Sequence, residues 1–167
     1  MLTTTDLIAR LDQGPALVQT LIDDVPPADL TRRPAPQRWS AHENACHLAL
    51  MEPMWAERLE RILAEDHPRI ISYEPDTDEP PDRLLRLELQ PTLAGFAHDR
   101  AAFVARLRTL SNAEWARGAS HTSHTRYSLY LMCRHMTMHD GLHAYRIEEF
   151  ALGSHWPLEA PPTTPTP

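Results

Sequence analysis

Hydrophobic residues recur every three to four positions in four long stretches of the chain, the spacing that places them on one face of an α-helix. The predicted helices cover about 5–22, 40–65, 82–110 and 127–151. Proline-rich or polar stretches separate them, and no run of alternating residues typical of a β-strand lies between them. The sequence therefore predicts an all-α fold, an up-down four-helix bundle with long loops.

The second predicted helix has the clearest start signal. Ser40 and Glu43 form a capping box, in which the serine accepts from the amide three residues on and the glutamate reaches back to the cap. Pro53 falls inside this helix and Pro91 inside the third. Because proline removes a backbone donor and clashes with the preceding turn, we expect a kink or local rearrangement at both.

Two proline-rich stretches lie outside the predicted helices. The acidic stretch 67–81 should cross the surface as a long loop between the second and third helices, in a position suited to a lid. Residues after Gly153 have almost nothing to bury, which predicts a disordered tail over 154–167. The chain is then one helical domain, 1–153, followed by this tail.

Size and charge limit the function. A chain of 167 residues, 42% of them hydrophobic, suits one domain. The formal charge of -7 gives no basic stripe, so we expect no nucleic-acid partner. No stretch approaches the roughly 18 apolar residues of a membrane span and no signal peptide opens the chain, which predicts a cytoplasmic protein without a membrane partner. Cys46 and Cys133 are expected to be buried free thiols.

Two histidines fall on the inward face of the last predicted helix. Its stripe at helical spacing consists of Met132, Met136, His139, His143, Ile147 and Phe150. His139 and His143 are one turn apart, so their rings can meet at one point. Buried imidazoles need partners for both nitrogens, and a metal ion can provide one. The zinc-protease motif is excluded, because no glutamate follows His139.

Two ligands hold a divalent ion weakly, so a third is expected from a facing helix. His47 is the candidate because it lies two turns into the second helix, next to its inner face; ordinary packing at the core edge is the alternative. His135 could substitute for it, whereas His42 lies too near the helix start. His121 and His124 are interpreted as solvated loop residues.

Other polar and aromatic residues near this site have simpler interpretations. Glu52 and Arg100 are expected to form an ion pair between the second and third helices, in preference to a substrate contact. Asp140 should point to the helix flank, in contact with a ligand or with solvent rather than with the metal. Trp39 and Tyr145 either line the mouth of the pocket or pack in the core.

Three segments of the sequence carry a resemblance to a known family. They are RWSAHENACHL at the second helix, FAHDR in the third and HMTMHDGLHAYRI in the last. In this order they resemble the DinB-like superfamily of metal-binding four-helix bundles, over roughly residues 7–152. The resemblance implies that His47, His139 and His143 bind a divalent ion, for which we expect zinc or nickel.

The resemblance also implies a class of reaction. The superfamily includes thiol S-transferases, some with bacillithiol or mycothiol as cosubstrate, so we expect a small-molecule thiol and an electrophile as partners. The alternative is a non-catalytic metal-binding protein associated with stress or damage. Three neutral histidines leave a position open for a thiol or a water. Because bundles of this family often pair, we also expect a homodimer; no further catalytic or cofactor-binding residue is predicted.

Overall fold

The structure is a computed structural model that describes residues 2–73 and 82–153. In this part of the chain the α-helices are α1 (Thr4–Asp24), α2 (Ala41–Ala64), α3 (Leu89–Arg108), the short α4 (Asn112–Trp115) and α5 (Leu129–Leu152), and a 3-10 turn covers Leu84–Arg86. The predicted tail and most of the predicted 67–81 loop lie outside the described residues.

The four long helices form a bundle, which confirms the predicted all-α fold. Helix α1 packs mainly on α3 and α5, and α2 packs mainly on the same two helices. Helices α1 and α2 therefore lie diagonally across the bundle, although they follow one another in the chain. No helix in the described ranges is long and apolar enough to span a membrane.

The helix boundaries test the capping and proline signals. The capping box is confirmed, since the Glu43 amide donates to Ser40 Oγ at 3.2 Å and the Ser40 amide donates to Glu43 Oε2 at 2.9 Å. Helix α2 continues through Pro53, which lies on its exposed face. The predicted start of the third helix is wrong, because α3 begins at Leu89. Pro91 then falls in the first turn, where its missing N–H would have no partner within the helix, so it does not break α3.

A small sheet, which the sequence pattern does not predict, closes one end of the bundle. Its strands are β1 (Arg69–Ile70), β2 (Gly118–His121) and β3 (Tyr127–Ser128). Strand β1 pairs in parallel with β2, and β2 pairs antiparallel with β3. Strands of two to four residues are too short to show an alternating pattern. The sheet attaches the segment after α2 and the loop before α5 to the bundle.

A polar layer divides the hydrophobic core in two. The cluster nearer the sheet includes Leu7, Leu11, Trp55, Phe103, Met132 and Met136. The second cluster includes Val18, Ile22, Leu48, Phe96, Ile147 and Phe150. Along the helices, Gly14 on α1, Arg100 on α3 and Asp140 on α5 lie between these clusters, and Glu52 on α2 directly follows Met51, the first residue of that helix in the cluster nearer the sheet.

Arg100 is the centre of this layer. Its side chain is 1% exposed and forms ion pairs with Glu52 at 2.7 Å and with Asp140 at 2.6 Å. It also donates to the Leu11 carbonyl of α1 at 3.1 Å. A Cβ at Gly14 would lie 3.1 Å from both Arg100 Nη1 and Asp140 Oδ2. The absence of a side chain at Gly14 therefore leaves space for the ion pair between Arg100 and Asp140. One arginine thus contacts all three other long helices.

This layer confirms one prediction and corrects another. The predicted pair between Glu52 and Arg100 is present. Asp140, placed on the helix flank by the sequence interpretation, is instead buried against Arg100. Burial raises the pKa of Glu52 above its usual range, and the Arg100 guanidinium opposes that rise.

We predict that Arg100→Met lowers the free energy of unfolding by about 3–5 kcal/mol, because it leaves two carboxylates buried without a partner. Arg108→Met on the same helix is the control, since Arg108 pairs with Asp12 at the surface and should contribute less than about 1 kcal/mol. Urea unfolding of both variants measures the difference. Equal losses would contradict the central role of Arg100.

Candidate metal centre

The three predicted histidines come together at the polar layer. His47 projects from α2, and His139 and His143 project from α5 one turn apart. One nitrogen from each lies within 4.8 Å of the others. The two Nε2 atoms of His47 and His139 are 3.0 Å apart, and the ring centroids of His139 and His143 are 4.5 Å apart. Among the described residues this is the group whose geometry could hold a metal ion.

Asn44 fixes the tautomer of His143. Its Nδ2 donates to the carbonyls of Trp39 at 3.3 Å and of Ser40 at 2.8 Å. The amide oxygen Oδ1 must therefore be the atom that faces His143 Nδ1, at 2.8 Å. Since Oδ1 only accepts, the proton of His143 lies on Nδ1 and its Nε2 carries a free lone pair. That is the state in which an imidazole binds a metal through Nε2.

His47 and His139 are left incompletely satisfied by the protein. Their Nε2 atoms face each other, so at most one of them can carry a proton in this contact. His139 Nδ1 is buried, and no group in the described part of the chain bonds to it. An unpaired polar nitrogen away from water is costly. A divalent ion could replace the contact between the two rings by binding one nitrogen of each, so the residues present fit a metal.

Burial keeps the three imidazoles neutral. It lowers the pKa of His47 to about 3, with His139 adding to the shift. It lowers the pKa of His139 to about 4, against the opposing charge of Asp140, and that of His143 to about 2. Neutral imidazole is the form that binds metal, so the site is ready for an ion at neutral pH.

The triad opens into a cleft of about 260 Å³. Its apolar wall is formed by Trp39, Met51, Met54 and Trp55, and its polar wall by Arg58, Ser72, Tyr73, His121, His124, His135 and Arg146. The Trp39 ring lies 4.8 Å from that of His47. Of the two interpretations of Trp39, the structure supports the one that places it in the lining of the pocket. Tyr145 is half exposed on α5.

The interpretation of His121 and His124 as solvated loop residues holds for His124, which is exposed in a loop, but not for His121, which is half-buried at the end of β2. The two ring centroids are 4.6 Å apart, and His124 is 5.8 Å from His135; all three line the cleft. The pairing of β2 with β3 folds their loop towards α5, which spacing along the chain does not reveal. His42 lies outside the site. Its Nε2 donates to the Leu84 carbonyl at 3.1 Å.

Sequence reasoning missed Asn44, Arg58 and Arg146. A signal existed for Asn44, because it precedes His47 by three positions and so shares its face of α2. The two arginines had no such signal, since the cleft that they line is formed by segments far apart in the chain.

We predict that the protein binds about one divalent ion per chain and that His47→Ala, His139→Ala and His143→Ala each abolish retention of the ion. Asn44→Ala should keep the three ligands but weaken metal binding by about tenfold to a hundredfold. His98→Ala, an exposed histidine on α3, is the matched control. Elemental analysis after dialysis measures the ion, and retention in the triad variants would contradict this site.

We also predict a pH-dependent stability of the metal-free protein. The folded pKa values of the triad lie below the 6.5 of a free histidine, so below pH 6.5 the unfolded chain binds more protons than the folded chain. The free energy of unfolding should therefore be highest above pH 6.5 and fall as the pH drops towards about 4.

Urea unfolding at a series of pH values tests this dependence. Between pH 6.5 and about 4, the free energy of unfolding should depend less steeply on pH in His143→Gln than in the wild type. The variant lacks one of the buried imidazoles whose pKa is lowered by folding. The exposed His98→Gln variant should keep the wild-type slope. Identical slopes in all three proteins would contradict a neutral buried triad.

Comparison with known proteins agrees with the fold. The model of the DinB superfamily matches residues 10–147. No curated protein matches the sequence significantly. Among solved structures the chain is similar to YfiT from Bacillus subtilis, described as a probable metal-dependent hydrolase with an unusual four-helix bundle topology, with a TM-score of 0.82 and 21% identity over 92% of this chain and 89% of that chain. The family match covers most of the sequence, and the chain belongs to the DinB superfamily.

Proposed function

We propose that this protein is a metal-dependent S-transferase that joins a small thiol to a small electrophile. His47, His139 and His143 would hold the ion, zinc or nickel. The observation that carries the proposal is that three neutral imidazoles, one of them fixed in the metal-binding tautomer by Asn44, open into a cleft of about 260 Å³. A cleft of that size suits a small molecule.

When bound, a divalent ion with three histidine ligands keeps a position open and lowers the pKa of a thiol or water there, which supplies a nucleophile near neutral pH. The protein's own thiols are poor candidates for that nucleophile. Burial raises the pKa of Cys46 and of Cys133 to about 12. The reacting sulfur must then come from a cosubstrate, for which bacillithiol and mycothiol are the candidates.

The reaction makes a carbon–sulfur bond. The thiol sulfur bonds to the electrophilic carbon, the leaving group departs with its bonding electron pair, and the thiol proton passes to a base. His135 can take that proton, since its ring lies 6.2 Å from that of His139 and lines the cleft. Burial, with His124 and Arg58, lowers the pKa of His135, so its imidazole is neutral at pH 7. The indole rings of Trp39 and Trp55 add apolar surface to the cleft.

Hydrolysis is the second candidate. It is favoured by the structural likeness to YfiT, described as a probable metal-dependent hydrolase. In this chain an ion held by the same triad could activate a water in place of a thiol, with His135 as the base.

A non-catalytic role associated with stress is the remaining alternative. In that role the ion would only join α2 and α5.

We predict that the zinc-loaded protein accelerates the reaction of monobromobimane or chlorodinitrobenzene with at least one small thiol. The panel comprises cysteine, glutathione, bacillithiol and mycothiol. His143→Ala should react at the uncatalysed rate, because it loses a ligand, whereas His98→Ala should match the wild type.

Equal rates for the wild type and His143→Ala with every thiol would contradict the transferase. Under that result, metal-dependent hydrolysis of p-nitrophenyl acetate without any thiol would favour the hydrolase. If the wild type binds one ion per chain but catalyses neither thiol transfer nor ester hydrolysis, the non-catalytic role is favoured.

A further inference from the structure

Arg58 is a buried arginine without a carboxylate partner among the described residues. It is 8% exposed, and its Nη2 donates to the Ile71 carbonyl at 2.6 Å. Its guanidinium carbon lies 5.2 Å from the centre of the Trp55 ring. A buried charge without a counter-ion is costly, and Arg100 shows the usual solution, two paired carboxylates. Because Arg58 lines the same cleft as the triad, its guanidinium is positioned to contact an anionic ligand.

The cleft that Arg58 lines is positive, although the whole chain carries a formal charge of -7. Arg146 lines the same cleft and is exposed, and within the described ranges it too has no ion pair. No described residue of the lining is Asp or Glu. The cleft therefore attracts anions in a protein that otherwise repels them.

His121 adds a hydrogen-bond donor to this wall. Its Nδ1 accepts from the Ser123 amide at 3.1 Å, so in the neutral ring the proton lies on Nε2. This is the opposite tautomer to that of His143, whose Nδ1 donates to Asn44. His121 thus offers an N–H, which suits an anion, and lacks the free Nε2 lone pair that a second metal site would need.

Trp55 connects Arg58 to the triad within the cleft. The Trp55 ring contacts the Arg58 guanidinium and also lies edge-on to the His139 ring, with centroids 6.3 Å apart. The guanidinium and the His139 ring therefore lie against the same indole ring. A ligand could reach both along the indole.

We propose that Arg58, assisted by Arg146, binds the carboxylate or phosphate of a small substrate whose reacting group lies at the histidine triad. The placement of the reacting group at the triad rests on the proposed function. The anion site itself needs no metal, because its groups are guanidinium and imidazole N–H donors. Arginine is well suited to this task, since its planar fork can donate two hydrogen bonds to one anionic group.

Anion binding to the full-length chain tests the proposal. Inorganic phosphate, succinate and the neutral succinamide are titrated while tryptophan fluorescence is recorded, because Trp55 lies against Arg58. Phosphate, succinate or both should quench saturably, and the tighter of the two identifies the anionic group. Succinamide should not quench. Arg58→Met should weaken binding by about tenfold or more, the loss expected for a hydrogen bond to a charged group.

Two further variants keep the result interpretable. Arg61→Met is the matched control on α2, since Arg61 forms an exposed pair with Glu65, and it should bind like the wild type. Arg58→Met also loses the bond to Ile71 and could fold poorly. Arg146→Gln alters an exposed side chain, so it should fold normally and still weaken anion binding.

A repeat of the titration in metal-free His143→Ala separates this inference from the proposed function. Binding that depends on Arg58 should persist there, even if no transferase activity is ever found. Binding that occurs only with zinc and is unchanged in Arg58→Met would place the anion on the metal and overturn the inference. Equal binding of succinamide, or no saturable binding of either anion, would overturn it as well.

Discussion

At the centre of this bundle the buried Arg100 guanidinium is stabilised by two carboxylates, and these ion pairs constrain the relative rotation of the helices. Arg100 on α3 binds Glu52 on α2 and Asp140 on α5. Asp140 directly follows His139, and Glu52 lies five positions after His47. Because each carboxylate sits on the same helix as a histidine of the triad, satisfying Arg100 turns these histidines towards one another.

The polar layer has a charged side and a neutral side. On the charged side, Arg100 and its two carboxylates satisfy one another. On the neutral side, burial keeps the imidazoles of His47, His139 and His143 uncharged, and His139 Nδ1 has no partner in the described ranges. An ion that binds only the folded chain would add to stability in proportion to its binding free energy. Fold and site thus depend on the same layer.

The features predictable from sequence are those encoded within one helix. The capping box at Ser40 and the inward stripe containing His139 and His143 needed only local spacing, and both are confirmed. The position of Asp140 was mispredicted. Asp140 is rotated by about 100° around the helix axis from His139, and a residue at that angle was assumed to lie outside the core. Helix α5 packs against both α1 and α2, so its buried arc is wider than one stripe and includes Asp140.

Features that depend on distant segments were not predictable. The short strands carry no pattern of their own, and their pairing is what brings His121 and His124 into the cleft. Arg58 lines the cleft without a carboxylate partner among residues 2–73 and 82–153, which is likewise a property of the assembled cleft. Even the start of α3 depended on context, since Pro91 is unfavourable within a helix and acceptable in its first turn.

The most direct test of this account is anomalous diffraction at the zinc or nickel absorption edge from crystals of the metal-loaded protein. The account predicts one strong anomalous peak per chain, within about 2.0–2.3 Å of one nitrogen each of His47, His139 and His143. For His143 that nitrogen must be Nε2, because Asn44 occupies Nδ1. A peak among His121, His124 and His135 with none at the triad, or no peak at all, would contradict it.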